Sequence, residues 1–366
     1  MYLQKPKNSS YIKIKLPTQN QEIIIGSALK RWTVEELSIR GYSNFVVFVD
    51  KSIVKLYPSF LKQIKNKLSP KDFIVIDARE NSKSLGYLNS VLKRCFEMKL
   101  NRKSCMMAIG GGIVGDIVGF LSSLYMRGVD FVFIPTTLMA QGDTIINKVG
   151  ISYKLLKNII GSFYSPILTI CDTDFLYTLS KKEISLGLSE IIKHALIDSV
   201  DFLNYLKKHI QPGLKNWKTY NWKEIIYKSL KIKSKFVCKD PLDEKEHCKG
   251  LSFGHTFANA IEGLSKFKVR HGDAVALGIY MSALVGKKLE LLSQKEVQQQ
   301  KELLERVRLS LSLPGKINKR IFIELLRRDK ISSDGTITIV ALRKIGKFKL
   351  FKNIDPKIII SVLKSI

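Results

Sequence analysis

The sequence predicts two domains, an α/β domain built on a parallel sheet and, after it, a mainly α-helical domain. Two patterns carry this. Short apolar runs at Asn44–Asp50, Phe73–Ile76, Met106–Ile109 and Val129–Ile134 alternate with longer helix-like stretches up to about Thr173, as expected for strands covered on both faces. After Leu179 strand-like runs are few until Thr336–Val340, and helical periodicity dominates from Lys182 through Leu311. At 366 residues the chain is long enough to give each domain its own core. The division is expected near Asp174–Ser180, with residues 1–176 in the first domain and 177–366 in the second.

Hydrophobic residues make up 45% of the chain and charged residues 25%, ordinary for a soluble globular protein, but the net charge of +29 is high. Such a charge attracts nucleic acid, acidic membrane surfaces or phosphorylated small molecules. The lysines run from end to end without gathering into one patch with interleaved aromatics. The charge therefore reads as a composition bias, and neither nucleic acid nor a membrane is an expected partner. Cys95, Cys105, Cys171, Cys238 and Cys248 are odd in number and include no Cys-x-x-Cys pair, which argues for a reduced, cytoplasmic protein. The N-terminal Met-Tyr-Leu-Gln-Lys-Pro lacks a signal peptide's apolar core. The most membrane-like stretch, Met106–Met126, holds five glycines and Asp116 and suits a buried strand-turn-helix better than a membrane span.

In chain order, Tyr11–Ile25 alternates loosely and predicts a hairpin at a sheet edge. Asn44–Asp50 predicts a central strand whose acidic tip either faces a ligand or caps the next helix. Phe73–Ile76 leads through Asp77, Glu80 and Lys83 to a helix over Leu88–Met98. Met106–Ile109 breaks into Gly110-Gly111-Gly112 and resumes as a helix through Gly115, Asp116 and Gly119 towards Arg127-Gly128. Glycines let backbone approach a ligand closely, and the helix N-terminus behind them suits a phosphate. Gly110, Gly112 and Gly115 fit the G-x-G-x-x-G spacing, although no acid closes a second strand about 20 residues on, as the full fingerprint asks. The strand Val129–Ile134 ends in Pro135-Thr136-Thr137, followed by Asp143, Asn147, Lys148 and then Lys157-Asn158.

In the helical half, spacings of three and four place Glu190, Lys193 and His194 on one helix face and His255, Asn259 and Glu262 on another, while His271 sits at a helix start. One carboxylate and two imidazoles from three segments suit a catalytic zinc site, though each residue alone fits a core or surface role. Glu190 with His194 is a rival ligand pair. His209 and His247 lie in lysine-rich stretches and receive no role.

These runs resemble 3-dehydroquinate synthases and their sister sugar-phosphate cyclases. The family's Gly-Gly-Gly-x-x-Gly-Asp, Tyr-x-Arg-Gly, Pro-Thr-Thr and Gly-Lys-Asn read here as Gly110–Asp116, Tyr125–Gly128, Pro135–Thr137 and Leu156-Lys157-Asn158. Its Asp-Gly-Glu-x-x-Lys is matched by Glu80 and Lys83, with one extra residue after Asp77. Glu190 in Glu-x-x-Lys, His255 in Gly-His-Thr-Phe and His271 in His-Gly-acid match its metal ligands. The resemblance covers roughly Asp77 to Leu342.

What the resemblance implies is a dehydroquinate-synthase-like architecture, with a Rossmann-like dinucleotide-binding domain, a helical metal- and substrate-binding domain, and the active cleft between them. The implied cofactors are NAD and Zn2+ or another divalent ion such as Co2+, the ion on Glu190, His255 and His271. Contacts to NAD fall on Gly110, Gly111, Gly112, Gly115 and Asp116, on Asp50, Glu80 and Lys83, and on Thr136, Thr137, Asp143, Lys157 and Thr178. Lys193, Lys148, Asp143 and Asn259 take catalytic positions, and Arg127, Asn158, Lys233, Lys249 and Lys330 contact substrate. The implied reaction converts 3-deoxy-arabino-heptulosonate 7-phosphate to 3-dehydroquinate in the shikimate pathway. NAD takes a hydride from a carbinol, phosphate leaves by elimination, the hydride returns, and an intramolecular aldol addition closes the carbocycle. The partner is a small phosphorylated sugar, and the expected assembly is a homodimer.

The chain departs from the family pattern in its second half. Asp143–Lys148 is one residue short, Asn259 replaces the family's second histidine, and Asp329-Lys330-Ile331 stands for Asp-Lys-Lys. Counting back from His255 puts the family's asparagine on Ser252 and its carboxylate-binding arginine on Cys248. The alternatives are therefore a sister cyclase acting on a carboxylate-free sugar phosphate, of the 2-deoxy-scyllo-inosose or valiolone type, or an NAD- and metal-dependent polyol dehydrogenase. An arginine restored at 248 is expected to improve turnover of the keto-acid phosphate, since a charge-assisted contact is worth roughly 1.5–3 kcal/mol.

Overall fold

In the computed structural model, residues 3–17, 19–144, 147–153 and 156–366 are described; Ile145 and Ile146, within the Asp143–Lys148 run, lie outside the described residues. The chain divides into two units, Met1–Leu179 with Trp222–Tyr227, and Ser180–Asn221 with Lys228–Ile366. Trp222–Tyr227, expected with the second domain, belongs to the first unit.

Among the described residues, the strands of the first unit are β1 Ser10–Ile14, β2 Gln21–Gly26, β3 Asn44–Asp50, β4 Asp72–Ile76, β5 Ser104–Gly110, β6 Asp130–Pro135, β7 Val149–Tyr153, β8 Leu156–Ser162 and β9 Leu168–Asp172. Its helices are α1 Lys30–Ser38, α2 Lys51–Leu56, α3 Pro58–Leu68, α4 Leu85–Glu97, α5 Gly112–Leu124 and α6 Leu138–Gly142. Seven strands form one sheet in the order β1-β2-β9-β6-β5-β3-β4, parallel throughout except for the antiparallel pair β1/β2. Successive residues of its central strands point into different cores. Val46, Phe48, Met106, Ala108, Phe131 and Phe133 pack with Val114, Ile117 and Leu121 of α5, while Val47, Val49, Met107, Ile109 and Ile134 pack with Phe60 and Ile64 of α3. Burial on both faces is why the strands read as unbroken apolar runs.

The strand order fixes where a ligand belongs. From β3 the chain moves outward to the edge at β4, then returns to β5 on the other side of β3 and continues to β6 in the opposite direction. The carboxyl ends of β3 and β5, Asp50 and Gly110, therefore flank the point where the winding reverses, the place where open α/β sheets bind ligands.

Three local readings change. The N-terminal hairpin is not wholly at the edge, because β2 pairs in parallel with β9 and only β1 is outermost. The small hairpin β7/β8 carries no strong sequence signal; its strands pass so closely at Gly150 and Gly161 that a Cβ on Gly161 would lie 2.3 Å from Val149 O. The late strand begins at Ile339 instead of Thr336, as β10 Ile339–Lys344, and turns back through β11 Lys347–Phe351.

In the second unit lie α7 Lys181–Asp198, α8 Val200–His209, most of α9 Trp222–Lys239, α10 Glu246–Lys249, α11 His255–Leu264, α12 His271–Lys288, α13 Gln294–Arg306, α14 Lys319–Arg327 and α15 Pro356–Ser365. α7 is buried along Ile184–Ile197 and α12 along most of its length, so neither shows the one-sided apolar stripe of a surface helix. Among the described residues, no helix is long and apolar enough to cross a membrane.

Candidate metal and dinucleotide sites

Glu190 projects from the middle of α7, and His255 and His271 are the first residues of α11 and α12. One donor atom from each lies within 4.8 Å of the others. Both imidazoles point Nε2 at the same oxygen: Glu190 Oε1 is 3.4 Å from His255 and 3.3 Å from His271. Behind them, His255 Nδ1 faces Phe253 O at 3.3 Å and His271 Nδ1 faces Glu262 Oε2 at 3.3 Å, an outer layer that orients each ring towards the centre. The Glu190 side chain is 3% exposed and that of His271 is 38%, so the cluster is closed on the α7 side and open beside His271. This suits a catalytic ion that keeps one coordination position free.

The electrostatics point the same way. Burial alone would raise the Glu190 pKa, but the Lys193 ammonium, 2.5 Å from Oε2, and then His255 hold the carboxyl well below its usual range. Burial works to lower the His271 pKa, yet hydrogen bonds to Glu190 and Glu262 lift it to about 9. Two carboxylates on one imidazole draw in positive charge, whether a proton or a divalent cation. A Glu/His/His donor set of this kind fits zinc or cobalt.

His194, the rival ligand, is fully buried and hydrogen-bonds through Nδ1 to Ser229 Oγ at 2.8 Å, and one of its ring nitrogens lies within 4.8 Å of a Glu190 oxygen. Lys193 is buried beside Glu190. Asn259 is exposed and donates Nδ2 to Asp329 Oδ2 at 2.9 Å, a link not foreseen from the sequence. Lys233 on α9 and Lys249 at the end of α10 are half-buried, and Lys330 is exposed.

In the first unit, β5 ends at Gly110 and α5 starts at Gly112 with no side-chain cap, leaving its first N–H groups open. The glycines divide by purpose. A Cβ at Gly110 would meet Val114 Cγ2 at 2.6 Å and one at Gly115 would meet the Phe133 ring at 2.9 Å, so these two serve packing. At Gly112 a Cβ would meet nothing within 4 Å, the open space that a ligand's pyrophosphate needs. Gly111 lies against Thr137, which caps α6 by accepting from Ala140 N at 3.2 Å, and Thr136 N donates to Gly110 O at 2.9 Å.

Asp50 caps α2, accepting from Ser52 N at 2.8 Å, and its Cβ is 3.2 Å from the built Cβ of Gly110; both sequence readings of this residue therefore remain compatible with its position. Lys83 is buried, with Nζ 2.6 Å from Asp116 Oδ2 and hydrogen-bonded to Asn158 Oδ1. Glu80 accepts from Ser152 Oγ at 2.8 Å. Residues expected on the dinucleotide (Lys83, Asp116) and on the substrate (Asn158) thus form one cluster. Thr178 Oγ1 is 3.0 Å from Tyr57 OH. Arg127 is exposed at φ 63°, directly after Met126 at φ 50°. Asp143 follows α6, Lys148 is exposed 5.7 Å from the Phe163 ring, and Lys157 is half-buried on β8.

The structure corrects one expectation. Cys248 is buried, its thiol donating to Phe236 O at 3.3 Å and Asp240 O at 3.1 Å and its N–H to Asp240 Oδ2 at 3.2 Å. An arginine there would enter a packed pocket carrying charge, and would not present its guanidinium to a substrate. Cys248→Arg is expected to lower stability by roughly 3 kcal/mol or more, read as a lower urea midpoint, with no gain in turnover. A variant as stable as the parent and more active would contradict this.

Sequence models described as 3-dehydroquinate synthase N-terminal and C-terminal match residues 73–186 and 187–332. The 3-dehydroquinate synthase of Endomicrobium trichonymphae is 33% identical over 360 residues, covering 97% of this chain and 98% of its own. Among solved structures, 2-deoxy-scyllo-inosose synthase complexed with carbaglucose-6-phosphate, NAD+ and Co2+ superposes with a TM-score of 0.87 at 19% identity, covering 97% of this chain and 99% of that one. The 2-epi-5-epi-valiolone synthase of Streptomyces hygroscopicus subsp. jinggangensis 5008, with NAD+ and Zn2+ bound, reaches 0.83 at 23% identity, covering 100% and 99%. At these identities the solved structures speak to the fold, and the sequence matches speak to kinship. The chain belongs to the 3-dehydroquinate synthase family.

Proposed function

We infer that the protein is a carbon–oxygen lyase, a 3-dehydroquinate synthase, converting 3-deoxy-arabino-heptulosonate 7-phosphate to 3-dehydroquinate with loss of phosphate. The observation that carries this reading is the convergence of Glu190, His255 and His271, with Glu262 behind His271, in a chain of this family. These three would hold the divalent ion, and the open turn at Gly112 would receive the pyrophosphate of NAD. When bound, NAD supplies a hydride acceptor that is regenerated within each turnover, and the ion supplies Lewis acidity towards a substrate oxygen.

The chain's own residues bind, orient and move protons. Lys193 is held against Glu190 and so presents an ammonium beside the metal ligands, a fixed donor for a substrate hydroxyl. Asp143 and Lys148 orient further hydroxyls, and Asn259, steadied by Asp329, offers a neutral amide where the family has an imidazole. Arg127, Asn158 and Lys330 are the further substrate contacts of this reading. Lys233 and Lys249 take the carboxylate, as point charges in place of the arginine that buried Cys248 cannot supply. The lysine-for-arginine exchange favours one second reading, a sister cyclase whose sugar phosphate has no carboxylate. A cytoplasmic homodimer in aromatic amino-acid biosynthesis is the setting that accompanies the main reading.

The test is phosphate release by the metal- and NAD-loaded protein. The keto-acid phosphate should be turned over, and carboxylate-free hexose or heptulose phosphates should not. Release from the latter alone would transfer the assignment to the sister cyclases.

A further inference from the structure

The three ligand-bearing helices meet backbone to backbone, and the meeting points lie beside the ligands. A Cβ built on Gly272 of α12 would stand 2.5 Å from Leu186 O and 2.7 Å from Leu186 Cα of α7. Gly272 follows His271, and Leu186 lies four residues before Glu190, on the same face of α7. A Cβ on Gly278 would stand 2.0 Å from Gly254 O and 3.1 Å from Ala258 N. Gly254, at φ +80°, precedes His255 and in turn lies against Ile279 N and Val275 O of α12. Gly278 is about two turns along α12 from His271, hence on the same stripe. These neighbours are backbone atoms and cannot rotate away. Further along α12, a Cβ on Gly286 would meet a leucine side chain, Leu292 Cδ1 at 3.1 Å, and the nearest backbone atom, Leu342 O, at an ordinary 3.8 Å.

Other contacts fasten this arrangement. Lys182 Nζ lies 2.7 Å from Asp273 and Arg270 pairs with Glu183, joining the first turns of α7 and α12, while Glu262 of α11 reaches His271 Nδ1 at 3.3 Å.

We propose that Gly272, Gly278 and Gly254 are positioning residues that set the spacing of Glu190, His255 and His271, and with it the affinity for the divalent ion; this rests on the reading of those three as ligands. Ordinary contact of a Cβ begins at 3.4 Å, so a methyl at Gly272 or Gly278 must displace α12 by an appreciable part of an ångström or more. A metal site tolerates about 0.2 Å in its donor distances. The displacement exceeds that tolerance severalfold.

The test measures Zn2+ affinity by chelator competition, and the visible spectrum of the Co2+ form, in protein whose folding is checked by circular dichroism. Gly272→Ala and Gly278→Ala should weaken Zn2+ binding on the order of 10–100-fold or more and change the Co2+ spectrum. Gly286→Ala should leave both unchanged. Wild-type affinity in either folded variant, or an equal loss in Gly286→Ala, would overturn the proposal. Should one glycine variant fail to fold, the other decides by the same two readouts. If His271→Ala leaves Zn2+ affinity intact, the ligand assignment itself is wrong, a result distinct from a wild-type site indifferent to Gly272.

Discussion

His271→Ala should empty the metal site while leaving the fold in place. The imidazole is one of three protein donors and lies on the cluster's more open side, so its loss removes a ligand without opening a large cavity. Outer partners of metal ligands are worth 10–100-fold in affinity, and loss of a ligand itself should exceed about 100-fold. Glu262→Gln should fall within the smaller range, since it keeps a partner for Nδ1 but removes the charge behind it. Elemental analysis after dialysis is the measurement. About one ion per chain is expected in the parent and almost none in His271→Ala; full occupancy in the variant would remove Glu190, His255 and His271 as the site.

Gly112→Val should weaken dinucleotide binding on the order of 100-fold in a protein that still folds. Nothing lies within 4 Å of a Cβ at this position, so the branched side chain projects into open space in front of the α5 N-terminus and costs the fold little. The same space is where pyrophosphate oxygens must meet the free N–H groups, and losing those contacts costs roughly 2–3 kcal/mol, on the order of 100-fold in affinity. Gly115→Val is the contrast, because its side chain would run into the Phe133 ring and should unfold the domain. Calorimetric titration with NAD, beside thermal melts, separates the two. Unchanged NAD affinity in folded Gly112→Val would place the dinucleotide elsewhere.

What could be read from the sequence follows from what is local. β3, β5 and β6 stood out because strands buried on both faces are unbroken apolar runs, and the ligand helices because Glu190, His255 and His271 sit in short motifs of fixed spacing. The switch point between Asp50 and Gly110 was not legible, since strand order is a property of the whole sheet. Nor was the β7/β8 hairpin, where glycines and lysines dilute the alternation. Cys248 shows how counting residues misleads: the side chain at the counted position turns inwards to the carbonyls of Phe236 and Asp240. Glu262 was placed on the right helix face, yet only packing against α12 shows that it orients His271.

Redox-neutral cyclisation is tested most directly by following phosphate release and NADH absorbance together, with the keto-acid phosphate in large excess over NAD. A cyclase that recycles its cofactor releases many phosphates per NAD while NADH stays flat. NADH rising in step with substrate consumed, without phosphate release, would contradict the claim and make the protein a dehydrogenase.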